Sequence, residues 1–219
     1  MYQDAFDYRN LLEELSVTNR VAFAASCVER LIPMYTAFCL AEDWDGDPFI
    51  LRRTMELVWK HVDKPSLTQS RVGELVAECE ASQPDMEDYN YFLMFGAGGA
   101  TPALTTLLRL CVEDDLNLVL QIQEIAVDER YFFVQRINNP VLTAVNTNQF
   151  LEEAWNSALM QAELKKQQSD FDWLRLHPTL DSKSLAEFRG KASEGGINPF
   201  ERRLVPAAII DSALAFTSE

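Results

Sequence analysis

Residues 27–60 read CVERLIPMYTAFCLAEDWDGDPFILRRTMELVWK, and their spacing decides the fold. Between Thr18 and Asp43, apolar or small residues recur at Val21, Ala25, Val28, Ile32, Tyr35 and Cys39. Alternating steps of four and three residues are the stripe of an amphipathic helix. Pro33 lies inside that stripe. It has no N–H to donate, so it predicts a kink near the helix middle. Asp47 and Pro48 then open a second helix, with the aspartate capping free N–H groups and the proline at the first helical position. Leu51, Met55, Val58 and Val62 form the second stripe. Two such helices joined by a short turn run antiparallel. The expectation is a long, kinked, antiparallel helical hairpin near the N-terminus.

The same spacing continues outward. A third helix fits Val72 to Ser82, with Val72, Leu75, Val76 and Cys79 inward. Thr101-Pro102 reads as a cap and first position for a helix presenting Leu104, Leu107, Leu108 and Cys111. Leu116 to Arg136 is a long helix, and Phe150 to Gln168 a charged one. The glycines of YNYFLMFGAGGA leave that stretch open between a broken buried helix and a loop. The last fifty residues predict one short helix, Ser182 to Ser193, a Gly/Pro loop, and an apolar segment, Val205 to Phe216. No long alternating strand pattern occurs. The fold class is therefore all-α, a multi-helix bundle. Residues 1–168 are read as the bundle domain, and 169–219 as a C-terminal extension packed on it or appended to it.

Composition narrows the function. The chain has 219 residues, 47% of them hydrophobic, enough for a sizeable core. No uninterrupted apolar run approaches the ~20 residues of a membrane span. The start, MYQDAFDYRNLLEEL, is too acidic and polar for a signal peptide, so a cytoplasmic location is expected. Cys27, Cys39, Cys79 and Cys111 form no CxxC pair, which predicts reduced, mostly buried thiols. Net charge is −15. That excludes phosphate-gripping nucleic-acid binding and attraction to an anionic membrane. The charge is one-sided: Val72 to Glu129 holds twelve acidic residues and one basic residue, Arg109.

Chemical motifs fail on inspection. DWDGDP at Asp43–Pro48 places aspartates like an EF-hand loop, but a calcium loop needs glycine at position six and glutamate at position twelve. Those positions are Pro48 and Thr54. GAGGATP lacks the spacing and lysine of a phosphate loop. His61 and His177 are isolated. His61 lies near a helix C-terminus, where positive charge is favoured. There is no HExxH, GxSxG or ExxH pattern. No catalytic residue, metal site or cofactor is therefore expected. Glu29-Arg30 and Arg52-Arg53 flank the two stripes. They read as an ion-pair network bracing the hairpin, with a pocket for an anionic ligand as the other reading.

The pattern Glu29-Arg30, Pro33, Tyr35, Phe38-Cys39, Gly46-Asp47, Arg52-Arg53, Leu57 and Trp59 resembles the YjaG-like family, an all-helical bacterial domain of unknown function. A weaker resemblance continues through SQPDMEDYNYF and NPVLTAVNTNQFLEEAWNSALMQAELKKQ, covering residues 15–168. It implies the helical fold and brings no catalytic residues. It also implies an association role, in bacterial signalling or beside a toxin. Together with the charge, this gives a non-enzymatic acidic protein that binds a basic protein partner. The leading expectation is an immunity protein that neutralises a basic bacterial toxin, such as a nuclease. Its contact face would be Asp85, Glu87, Asp88, Glu113, Asp114 and Asp115. The alternative is an adaptor or regulator in histidine-kinase signalling. A small-ligand enzyme comes third.

Overall fold

Ser16 starts the central helix, its Oγ accepting from the Asn19 N–H at 3.2 Å. The computed structural model describes residues 8–41, 47–84, 97–138 and 148–194. In chain order they form α1 (Tyr8–Glu13), α2 (Val17–Glu29), α3 (Ile32–Ala41), α4 (Ile50–Asp63), α5 (Gln69–Ala81), α6 (Ala100–Leu110), α7 (Leu116–Asn138), α8 (Asn148–Trp155), α9 (Ala158–Leu176) and α10 (Ser182–Ala192). There is no strand among the described residues. The turn residues Asp43, Asp45 and Gly46, most of YNYFLMFGAGGA, and the segment Val205 to Phe216 lie outside them.

The all-helical expectation holds, and the N-terminal helix is bent as its proline requires. Pro33 cannot donate to the Glu29 carbonyl. The helix breaks at Arg30–Leu31, where the Leu31 N–H closes a tight turn onto the Val28 carbonyl at 2.9 Å. The stripe reading was too modest. Every residue from Val21 to Cys39 is buried, not one face alone; around α2 itself, α4, α6, α7, α9 and α10 all pack. Val17–Ala41 is long and apolar enough to cross a membrane by length and composition, yet 94% of its apolar window lies inside the bundle. It is the core of the fold.

The second helix starts two residues later than its proline suggested. Asp47 Oδ1 accepts from the Phe49 N–H at 2.9 Å, and α4 proper begins at Ile50. Leu51, Met55, Val58 and Val62 are buried, as the spacing predicts. Phe49, not Asp47, occupies the cap position of α4, so removing the Asp47 side chain should lower stability by about 0.5–1 kcal/mol through the lost bond to the Phe49 N–H. A denaturant midpoint unchanged in Asp47→Ala would refute this. The exposed Asp47–Arg53 ion pair adds little.

Two other helix starts differ from expectation. Thr101 does not cap α6; Gly99 occupies that position, and Thr101 Oγ1 is buried without a partner. The charged helix is two helices, split at Ser157, whose Oγ accepts from the Met160 N–H at 3.2 Å and restarts the chain as α9. Gln168, where the bundle domain was read to end, lies inside α9. The helix predicted at Ser182 forms, held by a capping box in which Asp181 Oδ1 accepts from the Ser184 N–H at 2.7 Å. It docks through Phe188, whose ring lies 5.1 Å from that of Trp173 and 6.4 Å from that of Trp59.

Candidate functional site

Burying α2 all round forces its polar residues to find partners, since an unpaired buried charge is costly. Arg30 turns towards α9. Its Nε and Nη2 reach the two Glu163 carboxylate oxygens at 3.1 and 2.8 Å, the bidentate geometry that suits a guanidinium. Its Nη1 donates to Asp170 Oδ2 at 2.9 Å and to the Ser26 carbonyl at 2.8 Å. Nη2 also approaches Cys27 Sγ at 3.9 Å. All five guanidinium donors are thereby engaged. Ser26 Oγ and Lys166 Nζ complete Asp170. Gln167 donates to Glu163 at 2.9 Å and accepts from Gln123 at 3.0 Å. Burial pushes the Glu163 carboxyl up, but Arg30, with help from Arg130 and Gln167, outweighs it and holds the group below the ordinary carboxylate range.

Glu29 faces the other way, towards α4. Its oxygens accept from Arg52 Nη1 and, at 2.9 Å, from the Trp59 indole N–H. The four residues read from the sequence as one network therefore separate. Glu29 and Arg52 meet across the hairpin, as expected. Arg30 belongs to a different cluster, and Arg53 is a surface residue paired with Asp47. Nor does Arg30 retain a donor for an anionic ligand. Sequence reasoning missed Glu163 and Asp170, which lie 133 and 140 residues from Arg30. A signal was present: Glu163, Lys166, Gln167 and Asp170 form a polar stripe at helical spacing on α9.

These clusters offer no reactive group. Burial pushes the thiols of Cys27, Cys39 and Cys111 up to about 12, far from nucleophilic at neutral pH. No group of His, Cys, Asp and Glu among the described residues is arranged to hold a metal ion.

A cleft of about 930 Å³ opens elsewhere, between the start of α2, the end of α4, the start of α5, the end of α6 and the α9–α10 link. His61 stands in its wall. Its Nδ1 accepts from the Ser66 and Leu67 N–H groups at 2.9 and 3.0 Å, and the ring also bonds the Cys111 backbone. Burial lowers its pKa. The charged histidine expected at a helix end is thus a neutral one, because two N–H donors need its lone pair. Asp63, Glu113 and Asp114 line the same cleft.

Of the six acidic residues assigned to a contact face, Asp85, Glu87 and Asp88 lie outside the described residues. Glu113 and Asp114 are exposed in the α6–α7 turn, and Asp114 pairs with Arg20 at 3.4 Å. Asp115 serves its own turn, where its Oδ1 accepts from the Asn117 N–H and side-chain amide, each at 2.9 Å.

A family model described as "Protein of unknown function (DUF416)" matches residues 8–198. Two proteins named "Uncharacterized protein YjaG", from Salmonella typhimurium and Salmonella typhi, are each 30% identical over 98 residues, 45% of this chain and 49% of theirs. The match thus spans about half the length of those relatives. The crystal structure of a DUF416 family protein from Shewanella baltica OS155 has a TM-score of 0.74 at 18% identity, covering 88% of this chain and 96% of that one. That likeness is one of fold.

Proposed function

This chain belongs to the DUF416 family, and we propose that it is a non-enzymatic binding protein whose acidic middle engages a basic protein. The carrying observation is charge: twelve acidic residues against one basic between Val72 and Glu129, within a net charge of −15. A field of one sign speeds encounter with an opposite partner and repels like-charged ones. The buried polar clusters support the reading from the other side. They hold helices together, and the buried thiols are unreactive. The finer reading is an immunity protein that neutralises a basic toxin, since a protein that grips nucleic-acid phosphate must itself be basic.

The test is affinity purification from the native cell at low salt, followed by association kinetics on what is recovered. A basic partner is expected, with an on-rate that falls steeply as ionic strength rises. The paired substitutions Glu113→Lys and Asp114→Lys should slow that association. Asp115 is left unchanged in this test because it holds the start of α7. Recovery of a histidine kinase or receiver domain, with salt-insensitive kinetics, would replace this reading with a signalling one.

A further inference from the structure

We propose that His61 is an acid-sensitive clasp: a proton taken up by its ring releases the 64–67 link between α4 and α5 and reshapes the cleft that this link borders. Nδ1 accepts from two backbone N–H groups, those of Ser66 and Leu67, at 2.9 and 3.0 Å. A ring nitrogen that accepts has its lone pair free, so the proton of the neutral imidazole sits on Nε2. The Cys111 N–H is already given to the Leu107 carbonyl, so the ring donates from Nε2 to the Cys111 carbonyl. One side chain on α4 thereby holds both the link and the end of α6.

Protonation cannot leave that arrangement intact. An imidazolium donates from both nitrogens and accepts at neither. The bond to Cys111 survives, because Nε2 still donates. On the other side a new N–H points at two N–H groups that have lost their acceptor. The ring stays anchored on α6, and the link gives way. Pro65 and Ser66 are exposed and Leu67 is half-buried, so the freed amides pass to water at little cost. The start of α5 outlasts the link, because Thr68 Oγ1 caps it independently by accepting from the Arg71 N–H at 3.3 Å. Pro65 and Leu67 line the cleft, and its wall changes when they leave.

The surrounding charges oppose one another. Lys60 and Lys64 beside the ring, Arg71 on α5 and Arg109 on α6 disfavour a proton, and all four are exposed. Asp63, Glu113 and Asp114 in the cleft wall favour one. Asp63 accepts from Ser182 Oγ at 2.7 Å, and Asp114 is paired with Arg20 at 3.4 Å. Burial of the ring acts most strongly and favours the neutral, closed form, against the pull of the Cys111 carbonyl. The clasp rests on the fold and not on the basic partner proposed above.

Imidazole nitrogen NMR of the whole protein reads the ring without any substitution. The chain has two histidines, and the structure makes them opposite tautomers. His177 turns Nδ1 to the Trp173 carbonyl at 2.7 Å, so its proton sits there. At about pH 8 His61 should show the Nε2–H form. On acidification its titration should run together with a loss of amide-exchange protection at Ser66 and Leu67, intrinsic rates divided out, while the amides of α9 keep theirs. One proton taken up per opening means that opening grows by up to about ten-fold per pH unit below 6.5. His61→Asn keeps an acceptor oxygen near the place of Nδ1 and cannot titrate, so it should hold the link closed at every pH. His61→Phe offers no acceptor and should leave the link open at every pH. An Nδ1–H form at His61 in neutral solution, or protection that stays flat while the ring titrates, would overturn the proposal. So would an acid loss in His61→Asn equal to that of the wild type.

Discussion

Arg30→Met is expected to cost about 3–5 kcal/mol of stability at neutral pH, the scale for removing one partner from a buried ion pair. Against a typical total of roughly 5–15 kcal/mol, that approaches unfolding. The reason lies in what stays behind. Glu163 and Asp170 are 6% and 2% exposed, and methionine gives them no donors. The pH dependence identifies the cause. In the native protein Glu163 is held below the ordinary carboxylate range, so its contribution is present above the unfolded pKa and lost as pH falls through the folded value. Without Arg30, only Arg130 and Gln167 oppose burial, the largest influence on this group, and the carboxyl moves up. The variant then loses stability as pH rises past the unfolded value of 4.5. The difference between variant and wild type should therefore be smallest in acid and widen towards neutrality. Urea midpoints across that range measure it. A pH-independent difference would mean that lost packing of the arginine stem, not the stranded carboxylates, is responsible. A double-mutant cycle with Glu163→Gln should return a coupling of about 0.5–3 kcal/mol.

The helical class and the hairpin were legible because periodicity is local. Leu51, Met55, Val58 and Val62 announce their burial by spacing alone, and all four are in the core. Pro33 announces its bend because a missing N–H acts within one turn. The family likeness was legible for the same reason: residues 27–60 carry it in one unbroken stretch, and the DUF416 match includes them. The central position of α2 was not legible. A stripe shows which side of a helix must be buried; it does not show that other helices will cover the remaining sides. Once α2 is enclosed, Ser26, Glu29 and Arg30 cannot face water. Their partners come from α4 and α9, whose placement depends on tertiary packing. Cap chemistry failed where two signals competed. Thr101-Pro102 looks like a helix start, but the chain turns helical one residue before Thr101. Gly99, just before that start, lies in tight contact with Glu129 of α7.

That contact carries the second large effect. Glu129→Gln is expected to leave stability unchanged in acid and to raise it in alkali. Glu129 lies over Gly99, so closely that a Cβ built on the glycine would fall 2.4 Å from Glu129 Cγ. The carboxyl is half-buried, and its Oε2 is buried without a partner. Burial pushes its pKa up to about 8, against the opposing pull of Arg130 and the Gly99 N–H. For an acid raised in this way, the folded state holds a proton that the unfolded state has released. The stability is present below the unfolded pKa of about 4.5 and declines as pH rises to about 8, where it levels off. A shift of that size corresponds to at most roughly 5 kcal/mol; partial exposure reduces the expected plateau to about 1–3 kcal/mol. Glutamine mimics the protonated form and cannot ionise, so the variant should escape the decline. Thermal unfolding followed from pH 4 to pH 9 should show curves that coincide near the acid end, diverge as pH rises to about 8, and run parallel beyond it. Gly99→Ala tests the geometry itself. The new methyl group must drive the Glu129 side chain away from α6. The carboxyl then meets water, and the alkaline loss should disappear while the core bears a separate overpacking cost of about 1–3 kcal/mol. If Gly99→Ala kept the wild-type pH dependence, the close approach of α7 to that glycine would not be what raises the carboxyl.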